Sequence, residues 1–455
     1  MKKRILSAIT ILICICVCFS GCDFTFLSVD ELIRPPKISG EISSLQKAFE
    51  KTVNKEFVQM KTPINGEDRS SYFILDIDCD GNDDGLVFYS DPSIDEFARV
   101  AVFKHDGSEW KNVSVLVGLA EEIYEVGFND INGDGNYEVL ISWTTLDPDS
   151  LANETLTLVG NRILTLYKFS NSAMTLLRTE DFTKMYVSDF NGDGVDDIFL
   201  STVSISNDSN KTRGRIITFN DDCSVDFDDS FSLIGMLDVV SVSSDSVKSD
   251  GKRYTRIYVD GILSEAAFVT DVIEYCVSDS KISFPFHSQE TGEVPVTARS
   301  SKIYSFDIDS DKSIEIPTLQ ELPFSKRIDK NSDYETNTLN LVVWSNLDGQ
   351  KTVPKLKTLY NKSNNYYFIF EDDWISKVTA VYNANSSLLV FYLVENGVIA
   401  EKLFSIMTFS KSDWNSNRYD FDLLFDSDAY VYGYKYEQNE YISRQKVKDN
   451  FVAMS

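Results

Sequence analysis

Four copies of a nine-residue acidic loop constrain the fold of this chain more than any other feature. The copies span residues 76–84, 130–138, 189–197 and 307–315, and apolar residues flank each of them. Each copy has acidic or amide side chains at positions 1, 3 and 5 and a carboxylate at position 9. With a backbone carbonyl at position 7, this pattern supplies the oxygen ligands that Ca²⁺ requires. We therefore predict three to four structural calcium sites.

The predicted ligands occupy the same five positions in every loop. They are Asp76, Asp78, Asp80, Asn82 and Asp84; Asp130, Asn132, Asp134, Asn136 and Glu138; Asp189, Asn191, Asp193, Val195 and Asp197; and Asp307, Asp309, Asp311, Ser313 and Glu315. Position 6 is Gly in three loops and Lys312 in the fourth. Positions 4 and 6 are both Gly in the second and third loops, and Gly adopts a positive φ without steric cost, so we expect the second and third sites to be stronger and the fourth to be the weakest or empty.

The residues that follow each loop predict strands and not helices. Residues 138–143 and 197–202 are short runs rich in β-branched, aromatic and other apolar side chains. An EF-hand would instead place a bidentate Glu at position 12 and continue into a helix. Position 12 is Val87, Ile141, Leu200 or Thr318 in these loops, so the sequence excludes the EF-hand.

The spacing of the loops predicts a repeat. Their first residues are 54, 59 and 118 positions apart. Because 118 is two steps of 59, we expect a copy without its loop near residue 248, where residues 239–242 and 255–261 flank a polar segment. A period of about 40–60 residues with several strands per unit is typical of a β-propeller. We predict an all-β fold, a β-propeller of about five four-stranded blades that start near Tyr72, Tyr124, Met185, Leu237 and Ile303.

The loops at 130–138 and 189–197, placed between strands, resemble the calcium-binding propeller repeat of the FG-GAP/VCBS type. That repeat occurs in integrin α-subunit heads and in many bacterial surface proteins. The wider chain, including residues 258–263 and 367–374, is similar to bacterial lipoproteins with this layout. The resemblance implies an architecture and a location, and it implies no activity.

The first 22 residues predict a lipoprotein signal. A basic start at residues 2–4 precedes an apolar run at 5–19, and residues 19–22 resemble a lipobox that ends in Cys22. We predict that residues 1–21 are removed, that Cys22 carries the lipid, and that residues 22–37 form a tether to a bacterial membrane at the cell surface. The alternative is an uncleaved anchor.

The remaining chain divides into a repeat region and a C-terminal part. We assign residues 38–361 to the propeller, including an amphipathic helix at 39–53 with apolar residues at 42, 45, 49 and 53. Beyond residue 361 the period stops and several β-rich runs follow. We predict a small β-rich domain at 362–455, and the alternative is one or two further degenerate blades.

Composition narrows the possible functions. The formal charge of −28 disfavours nucleic acid and anionic surfaces as partners. The two histidines, His105 and His287, and the lack of a phosphate-binding motif leave no catalytic constellation to name. Cys79, Cys223 and Cys276 are expected to be free thiols. We predict a monomeric binding module with an unidentified protein or glycan ligand; the alternative is a polysaccharide-active hydrolase or lyase.

Overall fold

The protein is built almost entirely from antiparallel β-sheets. The computed structural model describes residues 40–53, 56–66, 68–145, 162–170, 173–204, 211–249, 251–279, 281–287, 295–323, 336–417 and 420–454. The predicted signal peptide, Cys22 and the tether lie outside these residues. No helix among the described residues is long and apolar enough to cross a membrane.

Six sheets follow one another along the described chain. The first three contain β1 (Gln59–Met60), β2 (Tyr72–Leu75), β3 (Asp84–Ser90), β4 (Ala98–His105) and β5 (Trp110–Val117); β6 (Glu122–Asn129), β7 (Glu138–Thr144), β8 (Arg162–Ser170) and β9 (Ala173–Phe182); and β10 (Lys184–Ser188), β11 (Asp197–Ser204), β12 (Lys211–Phe219) and β13 (Val225–Ser232). In these sheets neighbouring strands are successive in the chain, except that β1 and β2 both pair with β3.

The last three sheets are less regular. They contain β14 (Asp238–Ser249), β15 (Lys252–Ser264), β16 (Ala267–Cys276) and β17 (Lys281–Ser283); β18 (Ile316–Glu321), β20 (Asn340–Asp348), β21 (Lys351–Asn361), β22 (Tyr366–Ile369) and β28 (Phe451–Ala453); and β19 (Thr336–Thr338), β23 (Val378–Asn383), β24 (Leu388–Glu395), β25 (Val398–Phe409), β26 (Asp422–Asp426) and β27 (Val431–Tyr436). Helices are short: α1 (Gly40–Thr52), α2 (Lys411–Asn417), α3 (Arg444–Asp449) and three single 3₁₀ turns at Lys362–Asn364, Asp372–Trp374 and Ala384–Ser386.

The predicted units match the observed sheets closely in the first half of the chain. The four strands predicted for the second unit, at 123–128, 137–143, 163–169 and 174–180, coincide with β6 to β9, which pair in that order. The unit expected near residue 248 is also present, with the predicted runs inside β14 and β15. These two strands are longer than expected and form one hairpin whose turn includes Gly251, at φ +76°. The all-β prediction is confirmed.

The predicted helix at 39–53 corresponds to α1, which packs on the first sheet. Its apolar face buries Leu45 and Phe49 against that sheet. Trp110 donates its indole Nε1–H to Ser44 Oγ at 2.8 Å. A Cβ atom at Gly85 would lie 2.8 Å from Leu45 Cδ1, so the glycine in β3 is what allows the helix to approach.

Successive sheets share apolar clusters. Each cluster joins residues of two neighbouring sheets, which removes apolar surface from water at every junction. The members include Phe88 and Trp143 for sheets one and two, Leu140 and Leu200 for two and three, Phe199 and Val259 for three and four, Tyr258 and Ile316 for four and five, and Leu359 and Phe391 for five and six.

The fifth sheet spans the predicted boundary at residue 361. Strand β21 precedes it and pairs with β22 beyond it, and β22 in turn pairs with β28 near the C-terminus. Strand β19, which also precedes it, belongs to the sixth sheet through β23. The residues after 361 therefore share sheets and one apolar core with residues before it.

Candidate metal centres

The four acidic loops occupy equivalent places in the fold. Those at 76–84, 130–138 and 189–197, hereafter loops one to three, join the first long strand of a sheet to the second. Loop four, at 307–315, lies between a single bridge at Phe306 and strand β18. Every predicted ligand position is described, so the loops can be compared position by position.

The first residue of each loop holds the turn closed. Asp130 accepts backbone N–H groups from Gly133 at 2.8 Å and Gly135 at 2.9 Å. Asp76 and Asp307 accept the backbone N–H groups of positions 5 and 6, and Asp189 accepts those of positions 4, 5 and 6. Positions 4 and 6 have positive φ throughout, at Cys79 and Gly81, Gly133 and Gly135, Gly192 and Gly194, and Ser310 and Lys312. Loop four thus adopts the same turn as the others at a conformational cost, because Lys312 has φ +74°.

The carboxylates at position 9 are buried beneath the loops. Asp84, Glu138, Asp197 and Glu315 are all at most 1% exposed. Each accepts the backbone N–H of position 2, and Asp197 also accepts that of Asn191. Burial raises the pKa of Asp84 to about 6, of Glu138 to about 7 and of Asp197 to about 8, and it also raises the pKa of Glu315. A nearby cation would favour the charged form of each carboxylate.

Acidic side chains of loops one and four converge as calcium ligands must. Oxygen atoms of Asp76, Asp78 and Asp84 lie within 4.8 Å of one another, and so do oxygens of Asp307, Asp309 and Asp311. Loops two and three have Asn at position 3, where Asn132 and Asn191 donate to the carboxylates at position 5. At position 7, Asn82, Asn136, Val195 and Ser313 each donate their backbone N–H to the position-5 carboxylates of Asp80, Asp134, Asp193 and Asp311.

Loops one to three lie side by side. Cys79 Sγ in loop one is 3.1 Å from Gly135 O in loop two. A Cβ atom at Gly133 in loop two would lie 3.0 Å from Val195 Cγ2 in loop three. The three described cysteines form no disulfide, as expected. The loops therefore create a continuous acidic edge.

Three lysines reach into the acidic loops, and sequence analysis missed them. Lys104 lies 2.8 Å from both Asp78 and Asp80, and Lys168 lies 2.7 Å from Asp134. Lys355 contacts Asp309, Asp311 and Glu315 at 2.6–2.9 Å. Burial alone would lower the pKa of Lys104 and Lys355, but hydrogen bonds to the carboxylates raise both above the usual range. The lysines lie at different distances from their loops in sequence, so no fixed motif reveals them.

A second candidate site lies where the first strands of several sheets approach one another. The residues of this inner-strand cluster are Tyr124 on β6, Lys184 and Tyr186 on β10, Asp238 on β14, Arg162 on β8, and Tyr304. Burial raises the pKa of Tyr186, and the nearby carboxylate of Asp238 raises it further. The Arg162 guanidinium lies 3.8 Å from the centre of the Tyr124 ring. Aromatic faces and charges of both signs are thus close together.

Comparisons with known proteins assign no family. No protein-family model matches the chain, and no curated protein is significantly similar to it. Similar solved structures include a mannose phosphorylase from Leishmania mexicana in complex with a phosphate ion (10% identity, 80% of this chain and 96% of that chain covered, TM-score 0.21). A second is a GDP-Man-dependent mannosyltransferase from Leishmania mexicana (12% identity, 70% of this chain and 95% of that chain covered, TM-score 0.22). A third is a hypothetical protein from Leishmania major (12% identity, 68% of this chain and 91% of that chain covered, TM-score 0.17). TM-scores this low carry no argument about fold or function.

Proposed function

We propose that this chain is a calcium-stabilised β-propeller, held by a lipid at the outside of a bacterial membrane, that acts as a binding module for a protein or glycan. The observation that carries the proposal is the set of four acidic loops, each at the start of a sheet and each with a buried carboxylate at position 9. The acids of the loops are assigned to calcium, so we place the surface that binds a partner elsewhere in the protein.

The arrangement of the sheets supports a propeller. Six sheets pack in chain order through shared apolar clusters, and the first strands of sheets two, three and four contribute to one inner-strand cluster together with Tyr304 of the fifth repeat unit. Blades arranged around an axis bring their first strands together in this way. With the sixth sheet as a further blade, the propeller would have six.

Calcium would stabilise such a fold by offsetting repulsion among carboxylates. Two like charges 4 Å apart repel by about 1 kcal/mol even in water. A site with an affinity of roughly 0.1–1 mM, usual for extracellular modules, would add about 0.4–1.4 kcal/mol at 1 mM calcium. Such an increment matters because the net stability of a domain is about 5–15 kcal/mol.

The inner-strand cluster is the surface that best suits a partner. Tyr124, Tyr186 and Tyr304 are partly exposed, and Lys184 and Asp238 add charges that can orient a polar ligand. Aromatic side chains with a polar end are enriched where proteins bind partners. No second function is favoured by a particular contact, because no reactive pair of groups with a defined role stands out among the described residues.

Binding can be tested with purified protein on a glycan array and in pull-down from the cell envelope. We expect Asp238→Asn to weaken capture of the partner about tenfold, because it removes a half-buried charge from the inner-strand cluster. Asp279→Asn is the matched control, since its carboxylate forms an exposed pair with Lys252. If both variants, or neither of them, lose capture of the partner, the inner-strand cluster is not the binding surface.

The lipid anchor has its own test. Replacing Cys22 with Ser is expected to abolish fatty-acid labelling and to shift the protein from the membrane to the soluble fraction, or to block its maturation, because the thiol is the acceptor at the predicted cleavage site. Ser20→Ala, in the same segment, should leave labelling unchanged. Retained labelling in the Cys22 variant would rule out the anchor.

A further inference from the structure

We propose that the third loop is the chain's selective calcium site, and that Lys104, Lys168 and Lys355 take the place of the metal in loops one, two and four. This inference rests on the proposed calcium function and deepens it. It replaces the ranking expected from the glycine pattern alone, in which loops two and three were equally favoured.

Lys104 and Lys355 stand where a cation would stand. The Lys104 ammonium is 2.8 Å from Asp78, 2.8 Å from Asp80 and 3.6 Å from Asp84, which are loop positions 3, 5 and 9. Lys355 makes the same set of contacts in loop four, to Asp309, Asp311 and Glu315. An ammonium group with three N–H donors offsets the charge of these carboxylates without a metal, while Asp84 Oδ1 keeps no hydrogen-bond partner among the described residues.

Loop two is neutralised in a related way. Lys168 lies 2.7 Å from Asp134 at position 5. Cys223, from the hairpin between β12 and β13, places its Sγ 2.9 Å from Asn132 Nδ2 and 3.7 Å from Glu138. Calcium prefers oxygen ligands, so a sulfur at this distance adds a further obstacle to the cation.

The strand register explains why loop three differs. Asp84 pairs with Lys104, and Glu138 pairs with Lys168, so each lysine projects on the same side of its sheet as the carboxylate at position 9. In the third sheet the pairing of Ile198 with Ile217 sets Thr218 opposite Asp197. A threonine therefore stands at the position that a lysine occupies in the first two sheets.

The same register accounts for loop four. The pairing of Ile316 with Ser345 sets Asn346 opposite Glu315, so the equivalent position holds an amide. The ammonium comes from the next strand, where Lys355 lies in an irregularity of the β20–β21 pairing. Loop four thus receives its cation by a different route from loops one and two.

Loop three has carboxylate and amide acceptors, and no basic side chain in the described part of the chain pairs with its carboxylates. Among the residues that the structure describes, no lysine or arginine forms an ion pair with Asp189, Asp193 or Asp197. Arg253 is close to Gly192, and its Nε–H donates to Ser246.

Thr218 provides an independent indication of a ligand at loop three. Its side chain is 1% exposed, and its Oγ1 has no hydrogen-bond partner within the described part of the chain. A buried hydroxyl without a partner costs free energy, and it faces the same side as Asp197. A hard divalent cation held by Asp189, Asn191, Asp193 and Asp197 is the ligand that a hydroxyl oxygen there would suit.

The lysines weaken metal binding because they carry the same sign of charge. A calcium ion in loop one or four would have to displace an ammonium that already contacts three carboxylates, or bind within a few Å of it. In loop three no ammonium of the described residues competes with the ion for the three carboxylates. Calcium should therefore bind one site per chain with the affinity of an extracellular module.

The test is calcium stoichiometry, measured by equilibrium dialysis of the full-length protein in mild detergent, with thermal melting alongside. We expect one calcium per wild-type chain and a melting temperature that falls when EGTA is added. Thr218→Lys copies the residue found in loops one and two, and should reduce the stoichiometry to zero and make melting insensitive to EGTA. Thr62→Lys, at an exposed position, is the matched control and should bind one ion.

A gain-of-site variant keeps the proposal testable if Thr218→Lys does not fold. Lys355→Met removes the ammonium from loop four and should raise the stoichiometry to two. Three or four ions in the wild type would overturn the lysine substitution while leaving calcium stabilisation intact. No ion in either the wild type or the Lys355 variant would overturn both this inference and the calcium part of the proposed function.

Discussion

Replacing Asp260 with Ala is expected to lower the free energy of unfolding by about 3–5 kcal/mol, because it leaves a buried arginine without its counter-charge. Asp260, on β15, is fully buried, and Arg299 is 4% exposed. The Arg299 Nη2 donates to Asp260 Oδ1 at 2.7 Å. Thr270 Oγ1 and the backbone N–H of Ser305 donate to the same carboxylate at 2.5 and 2.8 Å. One substitution therefore leaves several buried donors unpaired.

The contacts of Arg299 show what this network holds together. Its Nε–H donates to Ile303 O at 2.7 Å, just before the fourth loop. Asp260 thus fixes the segment that leads from the fourth sheet into the fifth. Because the penalty arises from an unpaired charge, the double change Asp260→Ala with Arg299→Met should recover much of the lost stability.

Urea unfolding followed by fluorescence measures the effect. Asp279→Ala is the control, since an exposed ion pair contributes about 0–1 kcal/mol. Equal shifts of the urea midpoint in Asp260→Ala and Asp279→Ala would contradict the expected role of the buried ion pair in stability. So would a double variant that is less stable than Asp260→Ala.

The sequence predicted the features that depend on local pattern. Runs rich in β-branched and aromatic residues at 138–143 and 197–202 specified β7 and β11, and the spacing of Leu45 and Phe49 specified the buried face of α1. The turn at loop positions 4 and 6 could be predicted because the loops repeat, and Lys312 at position 6 also adopts a positive φ. In each case the determining residues lie within one element or one loop.

Features that depend on distant contacts were not predictable. Asp260 and Arg299 are 39 positions apart, and nothing near either residue indicates the partner. The pairing of β22 with β28 joins Phe368 to Phe451, so the extent of the fifth sheet could not be derived from its own sequence. Lys104 reaches loop one through strand register, and register is set by pairing between strands.

The calcium ranking shows how one such contact changes a functional inference. The glycines that favour the turn of loop two are visible in the sequence, whereas the contact of the Lys168 ammonium with Asp134 is not. In a loop of three carboxylates, one added positive charge outweighs a favourable turn, because a residue other than Gly in the turn costs only about 1–2 kcal/mol, whereas the charge repels the ion directly.

Replacing Trp143 with Ala is expected to cost about 3–5 kcal/mol, the usual loss for a large aromatic side chain in a core. Trp143, on β7, is 1% exposed and belongs to the apolar cluster that joins the first two sheets. Its indole Nε1–H donates to Thr165 Oγ1 at 2.8 Å. A Cβ atom at Gly118 would lie 2.3 Å from Trp143 Cζ3, so a glycine leaves the space that the ring fills. Alanine would leave a cavity at the junction between sheets.

Trp143→Phe separates packing from hydrogen bonding. Phenylalanine keeps most of the ring in the cluster and loses the indole N–H, so we expect a smaller loss of about 1–2 kcal/mol. Thr165 would still donate to Ile141 O at 3.0 Å, so its hydroxyl would keep a partner. Leu119→Ala, at a largely exposed side chain, should change stability by less than about 0.5 kcal/mol. Melting and urea unfolding of the three variants should follow this order. If Trp143→Ala were as stable as Leu119→Ala, packing of Trp143 would not stabilise the junction between the first two sheets. The apolar contacts between sheets would then support the proposed propeller less well.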